Sequence, residues 1–239
     1  MDKIEFIEKI KELKYVDKDL DFEKISESFD LYFHFLVETN EKFNLTAITE
    51  ENDVYLKHFY DSLLIMNFVD LSSGKLIDIG SGAGFPGIPL AILNKNLKIT
   101  LVESSKKKCG FLEELSKKLE LNNVEIICAR AEDLPKTLQN LHNFGTCRAV
   151  SALNIVTELV LPFIKIGGYF IPYKSSKFDE ELKSSTKTIK LLGGNLEKVE
   201  KTNLTEDDEI RVFPFIEKTE KTLKKYPRKY SDILNKPLN

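Results

Sequence analysis

Cysteine is scarce in this chain: of 239 residues only Cys109, Cys128 and Cys147 are thiols, and none falls in a C-x-x-C pair. Widely spaced cysteines, odd in number, argue against a disulfide framework and against a zinc knuckle, and they suit a reducing compartment. Histidine is as sparse. His34, His58 and His142 show no metal-ligand spacing, so no metal centre is expected. No apolar run approaches the ~18 residues of a membrane span. The opening MDKIEFIEKI alternates charged with apolar residues, where a signal peptide would carry an unbroken apolar stretch. A soluble cytoplasmic protein without membrane contact is the expectation. Internal repeats and low-complexity tracts are also missing, which excludes a solenoid or a linker-like chain.

What is present has the composition of a folded chain. Hydrophobic residues make up 42% and charged residues 31%, close to the globular average, which excludes disordered and collagen-like classes. The length suggests one domain, or one domain with an appended helical piece, and is enough to bury about 70% of the unfolded surface without staples. The formal net charge of −3 excludes a generic polycation. Its distribution is uneven, with ten acids and six bases in residues 1 to 30 and eight bases and three acids in residues 210 to 239. The basic tail comprises Lys218, Lys221, Lys224, Lys225, Arg228, Lys229 and Lys236, with Tyr226 and Tyr230 interleaved. A solvated, partly disordered terminus accounts for such a tail as well as RNA contact does. The aromatics tilt the balance modestly toward RNA, because they stack on unpaired bases.

Residues 2 to 67 read as helices, with Phe22, Ile25, Phe29, Tyr32, Phe33 and Leu36 on one apolar face and Val54, Phe59, Leu63 and Met66 on another. From Leu76 the rhythm changes. Short apolar runs at Leu76 to Ile79, Ile99 to Val102, Val124 to Cys128, Cys147 to Val150 and Tyr169 to Tyr173 alternate with helical segments near 86 to 94, 106 to 120, 154 to 164 and 178 to 192. Such alternation implies right-handed crossovers and a mostly parallel α/β sheet. Two later runs, Leu196 to Val199 and Ile210 to Ile216, have no long helix between them and can pair as an antiparallel edge. The division expected is a helical extension over 1–70 and an α/β domain with a basic tail over 71–239.

The densest signal follows the first strand, Asp78-Ile79-Gly80-Ser81-Gly82-Ala83-Gly84-Phe85-Pro86-Gly87-Ile88-Pro89. Alternate glycines admit positive φ and let a ligand approach the main chain, and the prolines place a helix start at about residue 86 or 87. Gly82, Gly84 and Gly87 satisfy the dinucleotide G-x-G-x-x-G pattern. Asp78 would set a carboxylate beside a pyrophosphate, however, and two prolines remove amide donors for it. A cationic, phosphate-free ligand such as S-adenosylmethionine suits Asp78 better. Glu103 ends the second strand at about the ~20-residue offset where an acid accepts ribose hydroxyls, although an exposed turn glutamate fits the same position. Ala131-Glu132-Asp133, after the third strand, is placed to read an adenine edge or to cap a helix. Arg148 lies within an otherwise buried-looking run and needs either a carboxylate or a ligand.

Together, Asn44-Leu45-Thr46, Lys57-His58-Phe59-Tyr60-Asp61-Ser62, the Asp78 to Pro89 loop, Ala131-Glu132, Arg148-Ala149, Leu161-Pro162 and Lys225-Tyr226-Pro227-Arg228 resemble a known family. It is that of the bacterial small-subunit ribosomal RNA guanine-N7 methyltransferases, also called glucose-inhibited division protein B. The resemblance runs from about residue 40 to the C-terminus and is most specific in the glycine loop. It implies a class I methyltransferase (Rossmann-like) fold, S-adenosyl-L-methionine as donor, and a guanine of 16S ribosomal RNA, free or in the assembling small subunit, as acceptor. It also implies cofactor contacts at Gly80, Phe85, Ala131, Glu132 and Arg148. These join the contacts expected from the residues themselves at Asp78, Gly82 and Glu103. Cys147 stands where the family usually has serine, a near-isosteric change.

Guanine N7 carries a free lone pair and loses no proton before attack, so no catalytic base is expected. His58, Lys224, Lys225, Arg228 and Lys229 are the candidates for RNA contact. Two rivals stand beside this expectation: a nicotinamide-dependent oxidoreductase, and a ribosome-associated RNA-binding protein that keeps the fold without catalysis.

Overall fold

In the computed structural model, which describes residues 1–205 and 209–238, aspartates start the first two helices. Asp2 accepts the Glu5 amide at 2.9 Å and opens α1 (Lys3–Glu12); Asp21 accepts the Lys24 amide at 3.1 Å and opens α2 (Phe22–Lys42). Each cap is worth about 1 kcal/mol. α2 buries Ile25, Phe29, Tyr32, Phe33 and Leu36, the apolar face expected of it, while Phe22 stays half-buried under Lys11. α3 (Glu51–Val54) continues through a π-helical turn (Tyr55–Tyr60) into α4 (Asp61–Leu63) and a 3-10 turn (Leu64–Asn67). Val54 and Phe59 stand at i and i+5, out of phase for an α-helix, yet both are fully buried, because the π turn takes up the additional residue. Phe59 thereby joins Phe6, Phe29, Tyr32 and Tyr55 in a ring cluster with centroids 4.8–6.1 Å apart. Such pairs add about 0.5–1.5 kcal/mol each beyond area burial.

Strands and helices then alternate: β1 (Gly74–Ile79), α5 (Gly87–Leu93), β2 (Leu97–Glu103), α6 (Lys106–Lys118), β3 (Val124–Cys128), β4 (His142–Thr146), α7 (Leu153–Val160), β5 (Ile164–Phe170), α8 (Phe178–Leu191), β6 (Gly194–Asn203), β7 (Ile210–Lys218) and α9 (Tyr230–Asn235). Strand order is β3-β2-β1-β4-β5-β7-β6. β2–β3, β1–β4 and β4–β5 pair in parallel, whereas β5–β7 and β6–β7 are antiparallel. This is the mostly parallel sheet of a class I methyltransferase fold. Its antiparallel edge joins the two late runs, with Leu196 opposite Ile216. The chain divides into two compact units, Met1–Gly74 with Ser81–Cys128, and Lys75–Gly80 with Ala129–Asn239. No helix among the described residues is long and apolar enough to cross a membrane.

Two expectations are corrected. The run Cys147 to Val150 is not a strand: β4 ends at Thr146, the pairing of Arg148 with Tyr173 is an isolated bridge outside the strands, and Ala149 takes a φ of +56°. The real strand, His142-Asn143-Phe144-Gly145-Thr146, lacks an apolar rhythm. Gly145 is required there because a Cβ would come within 2.6 Å of the Val160 and Ile164 side chains. The second correction concerns sulfur. Cys109 of α6 and Cys128 at the end of β3 form a disulfide, with Cα atoms 5.8 Å apart, leaving Cys147 as the buried free thiol. Their separation in sequence hid a contact that the packing of α6 on β3 creates.

In the second unit, His142 is 1% exposed with Nδ1 3.3 Å from the Phe163 carbonyl. Burial, assisted by Lys75, pushes its pKa down to about 4, and the contact with Phe163 opposes the shift. Between this value and the ordinary 6.5 the unfolded chain binds more protons than the folded one, so stability is lost as pH falls from 6.5 toward 4. Urea unfolding at a series of pH values should show wild type losing stability across that window more steeply than His142→Gln. Parallel profiles would mean that His142 is not buried in its neutral form.

Candidate functional site at the glycine loop and the strand ends

In the first unit the glycine loop is a closed turn. The Ser81 amide donates to Val102 O at 3.2 Å, and the amides of Gly84 and Phe85 donate to Ser81 O at 2.7 and 3.0 Å. Gly82 and Gly84 hold φ of +59° and +100°, in the region where side chains are strained. Glu103, the last residue of β2, is 7% exposed. Its Oε2 accepts the Gly82 amide at 2.9 Å and its Oε1 the Ser105 amide at 2.8 Å. The exposed turn glutamate is thereby ruled out. An ionised carboxylate offers about four acceptor sites, so two amides leave capacity for a vicinal diol. The disulfide lies beside this residue, with Cys109 Sγ 3.3 Å from the Glu103 carbonyl.

Phe85 closes the loop and is 6% exposed, its ring stacked on Tyr32 at 5.4 Å and on His58 at 4.5 Å. His58 comes from the π turn, and its Nε2 is 2.7 Å from Thr46 Oγ1. Asn40 Oδ1 in turn accepts the amides of Leu45 and Thr46 at 2.7 and 3.0 Å. The strings around residues 44 to 46 and 57 to 62 therefore meet against the loop, which their separation in sequence did not foretell.

In the second unit the strand order reverses between β1 and β4, the position at which open α/β sheets bind ligands beyond the carboxyl ends. Asp78 is wholly buried opposite Thr146. Gly80 follows with φ of +75°, where a Cβ would meet Val150 at 2.7 Å. Arg148 is half-buried just past the end of β4. The buried strand expected around it does not exist, and Arg148 follows the end of β4 instead. Ala131 and Glu132 form a 3-10 turn; Ala131 is buried, and the Glu132 side chain is 9% exposed, 4.0 Å from Arg130. Burial pushes the Cys147 thiol up to about 12, with Asp78 and Glu181 adding to the shift against the opposing pull of Lys174, which disfavours the thiolate.

The basic tail is folded onto the second unit. Lys218 is fully buried, donating to the carbonyls of Leu161 at 3.1 Å and Leu192 at 2.9 Å and to Thr222 Oγ1. Tyr226 is 3% exposed, which removes it as a stacking platform. Arg228 engages Glu158 through Nε at 2.8 Å and through its terminal nitrogen at 2.6 Å, anchoring the tail. Glu158 is 1% exposed in the apolar helix α7; an acid in Leu153-Asn154-Ile155-Val156-Thr157-Glu158-Leu159-Val160 was the available signal for a buried pair, and it was missed. Lys224, Lys225 and Lys229 remain exposed, and Tyr230 carries Arg130 5.6 Å from its ring centre.

Comparison with known proteins agrees with the sequence pattern. The family model described as rRNA small subunit methyltransferase G matches residues 25–210. The proteins named ribosomal RNA small subunit methyltransferase G of Lactobacillus helveticus and Staphylococcus saprophyticus are 44% and 45% identical, each over 90% of this chain and 92% and 91% of their own length. Among solved structures, M. jannaschii TYW2 in complex with AdoMet has a TM-score of 0.56 at 19% identity, covering 72% of this chain and 78% of its own. The 4+2 cyclase SpnF reaches 0.55 at 12% identity over 82% and 96%. A structure titled as a cyclase among the fold matches shows that the fold alone does not select the chemistry. The assignment rests on sequence: the chain belongs to the rRNA small subunit methyltransferase G family.

Proposed function

We propose that this chain transfers a methyl group from S-adenosylmethionine to N7 of a guanine in 16S ribosomal RNA, in the cytoplasm. The observation that carries the reading is Glu103, a buried carboxylate that holds the Gly82 amide and retains acceptor capacity for ribose hydroxyls. Gly82, Phe85 and Glu103 of the first unit, and Asp78, Gly80, Ala131, Glu132 and Arg148 of the second, are the proposed cofactor contacts. Residues 1–70 form the helical extension in this scheme and 71–239 the catalytic domain. Bound S-adenosylmethionine supplies an electrophilic methyl group. The protein aligns donor and acceptor, and because N7 loses no proton before attack, no side chain has to serve as base. Lys224, Lys225 and Lys229 attract the RNA backbone, Arg228 holds their segment in place, and His58 braces the loop from within hydrogen-bond reach of Thr46.

Calorimetry with S-adenosylmethionine, its demethylated product and NADH tests the donor. Both adenosyl ligands should bind and NADH should not; binding of NADH alone would restore the oxidoreductase. Gly82→Val puts a β-branched residue at a φ of +59° and displaces the amide held by Glu103. At a cost of roughly 1–2 kcal/mol in the backbone, its adenosyl affinity should drop about tenfold or more, with the sheet's circular dichroism preserved. Undiminished affinity in the folded variant would remove the loop from the site.

The RNA assignment is tested by salt. Charge reversal at Lys224 and Lys225 should weaken RNA binding and lower the log-log salt slope by about 0.7 to 0.9 for each lost phosphate contact. S-adenosylmethionine affinity should stay as it was. Identical slopes and affinities for wild type and the double variant would return these lysines to a merely solvated surface.

A further inference from the structure

The glycine turn has a peptide that its own hydrogen bonds hold at one end only. Ala83 stands between two positive-φ glycines, Gly82 and Gly84. Glycines rotate at little steric cost, so the peptide joining Ala83 to Gly84 is the one most free to flip. In the structure that peptide is held at both ends. The Gly84 amide donates to Ser81 O at 2.7 Å, and the Ala83 carbonyl accepts the Tyr32 hydroxyl at 2.5 Å. Tyr32 belongs to α2 and is fully buried, its ring stacked on Phe85 at 5.4 Å and 18° and tilted against Phe59 at 5.0 Å. The fit leaves no slack, since a Cβ on Gly84 would come within 2.6 Å of the Tyr32 oxygen.

The geometry points to Tyr32 as a positioning residue for the cofactor: from the N-terminal helix it fixes the Ala83 peptide, and through it the Gly82 amide that Glu103 accepts, in the binding-ready turn. This deepens the reading above and rests on it. Without the hydroxyl the turn populates flipped states, and cofactor binding has to select the competent one, which lowers apparent affinity by the competent fraction. The chemical step, aligned once the cofactor is bound, is untouched.

Tyr32→Phe keeps the ring and deletes the oxygen. Relative to wild type, its Kd for S-adenosylhomocysteine and its KM for S-adenosylmethionine should rise about three- to tenfold, the worth of one hydrogen bond. Its kcat at saturating donor and its KM for RNA should not move. Phe6→Leu is the packing control. Phe6 lies in the same ring cluster, packed on Phe29, Tyr55 and Phe59, so this variant should lose melting temperature while keeping wild-type S-adenosylhomocysteine affinity. Wild-type affinity in Tyr32→Phe, or a fall in kcat with KM unchanged, overturns the positioning role. If wild type itself binds neither adenosyl ligand, the cofactor reading fails, and the inference with it.

Discussion

The carboxylate of Glu103 is the point on which the order of the glycine turn in the first unit depends. A loop with glycines at 80, 82 and 84 has little conformational preference of its own. What selects one conformation is a small set of hydrogen bonds whose donors and acceptors come from rigid elements: the carbonyl of Val102 and the side chain of Glu103 from β2, and the hydroxyl of Tyr32 from α2. Two amides, those of Gly82 and Ser105, converge on the Glu103 carboxylate and tie the loop to the end of β2. Its neighbours follow from this. Ser105 is drawn in by the second oxygen, and Cys109 packs against the carbonyl of the same residue.

The parts legible in the sequence were those set by local periodicity or by dense motif. The α2 face, the strand–helix alternation and the helix start at residue 87 all depend on spacing within one segment. Misreadings came where the deciding contact was tertiary. β4 holds histidine, asparagine and glycine in a central strand, and at Gly145 its neighbours' side chains fill the space a Cβ would take. Periodicity cannot report that. The more apolar run that followed, Cys147 to Val150, was taken for the strand in its place. The shift moves Arg148 from a strand interior to a half-buried position past the end of β4. The Cys109–Cys128 pairing failed to show for the same reason.

The tail teaches a related lesson about charge. Its bases look alike in sequence, yet Lys218 caps two carbonyls in the interior, Arg228 is clamped to a buried glutamate, and Lys224, Lys225 and Lys229 face outward. Burying a cation is costly unless its donors are filled. The two inward bases meet that condition differently: Lys218 with neutral oxygens, which pushes its pKa down to about 8 by burial, and Arg228 with a carboxylate. Two of the tail's bases are thus structural, and they hold the segment that presents the rest.

Methyl transfer to a guanine N7 asks little of a protein's acid–base chemistry and much of its geometry. In-line displacement gains from holding the reacting atoms near 3–3.5 Å, and loops that wander forfeit that gain. A site built for this task should therefore place its buried polar contacts around the donor loop and leave no titrating nucleophile nearby. In the first unit, Glu103 and Tyr32 are directed at backbone groups of the glycine loop, and His58 is stacked on Phe85. The N-terminal helices, of which α2 falls largely within the residues matched by the family model, acquire a reason to be there. They supply the rigid wall against which a glycine-rich turn, unable to order itself, is fixed.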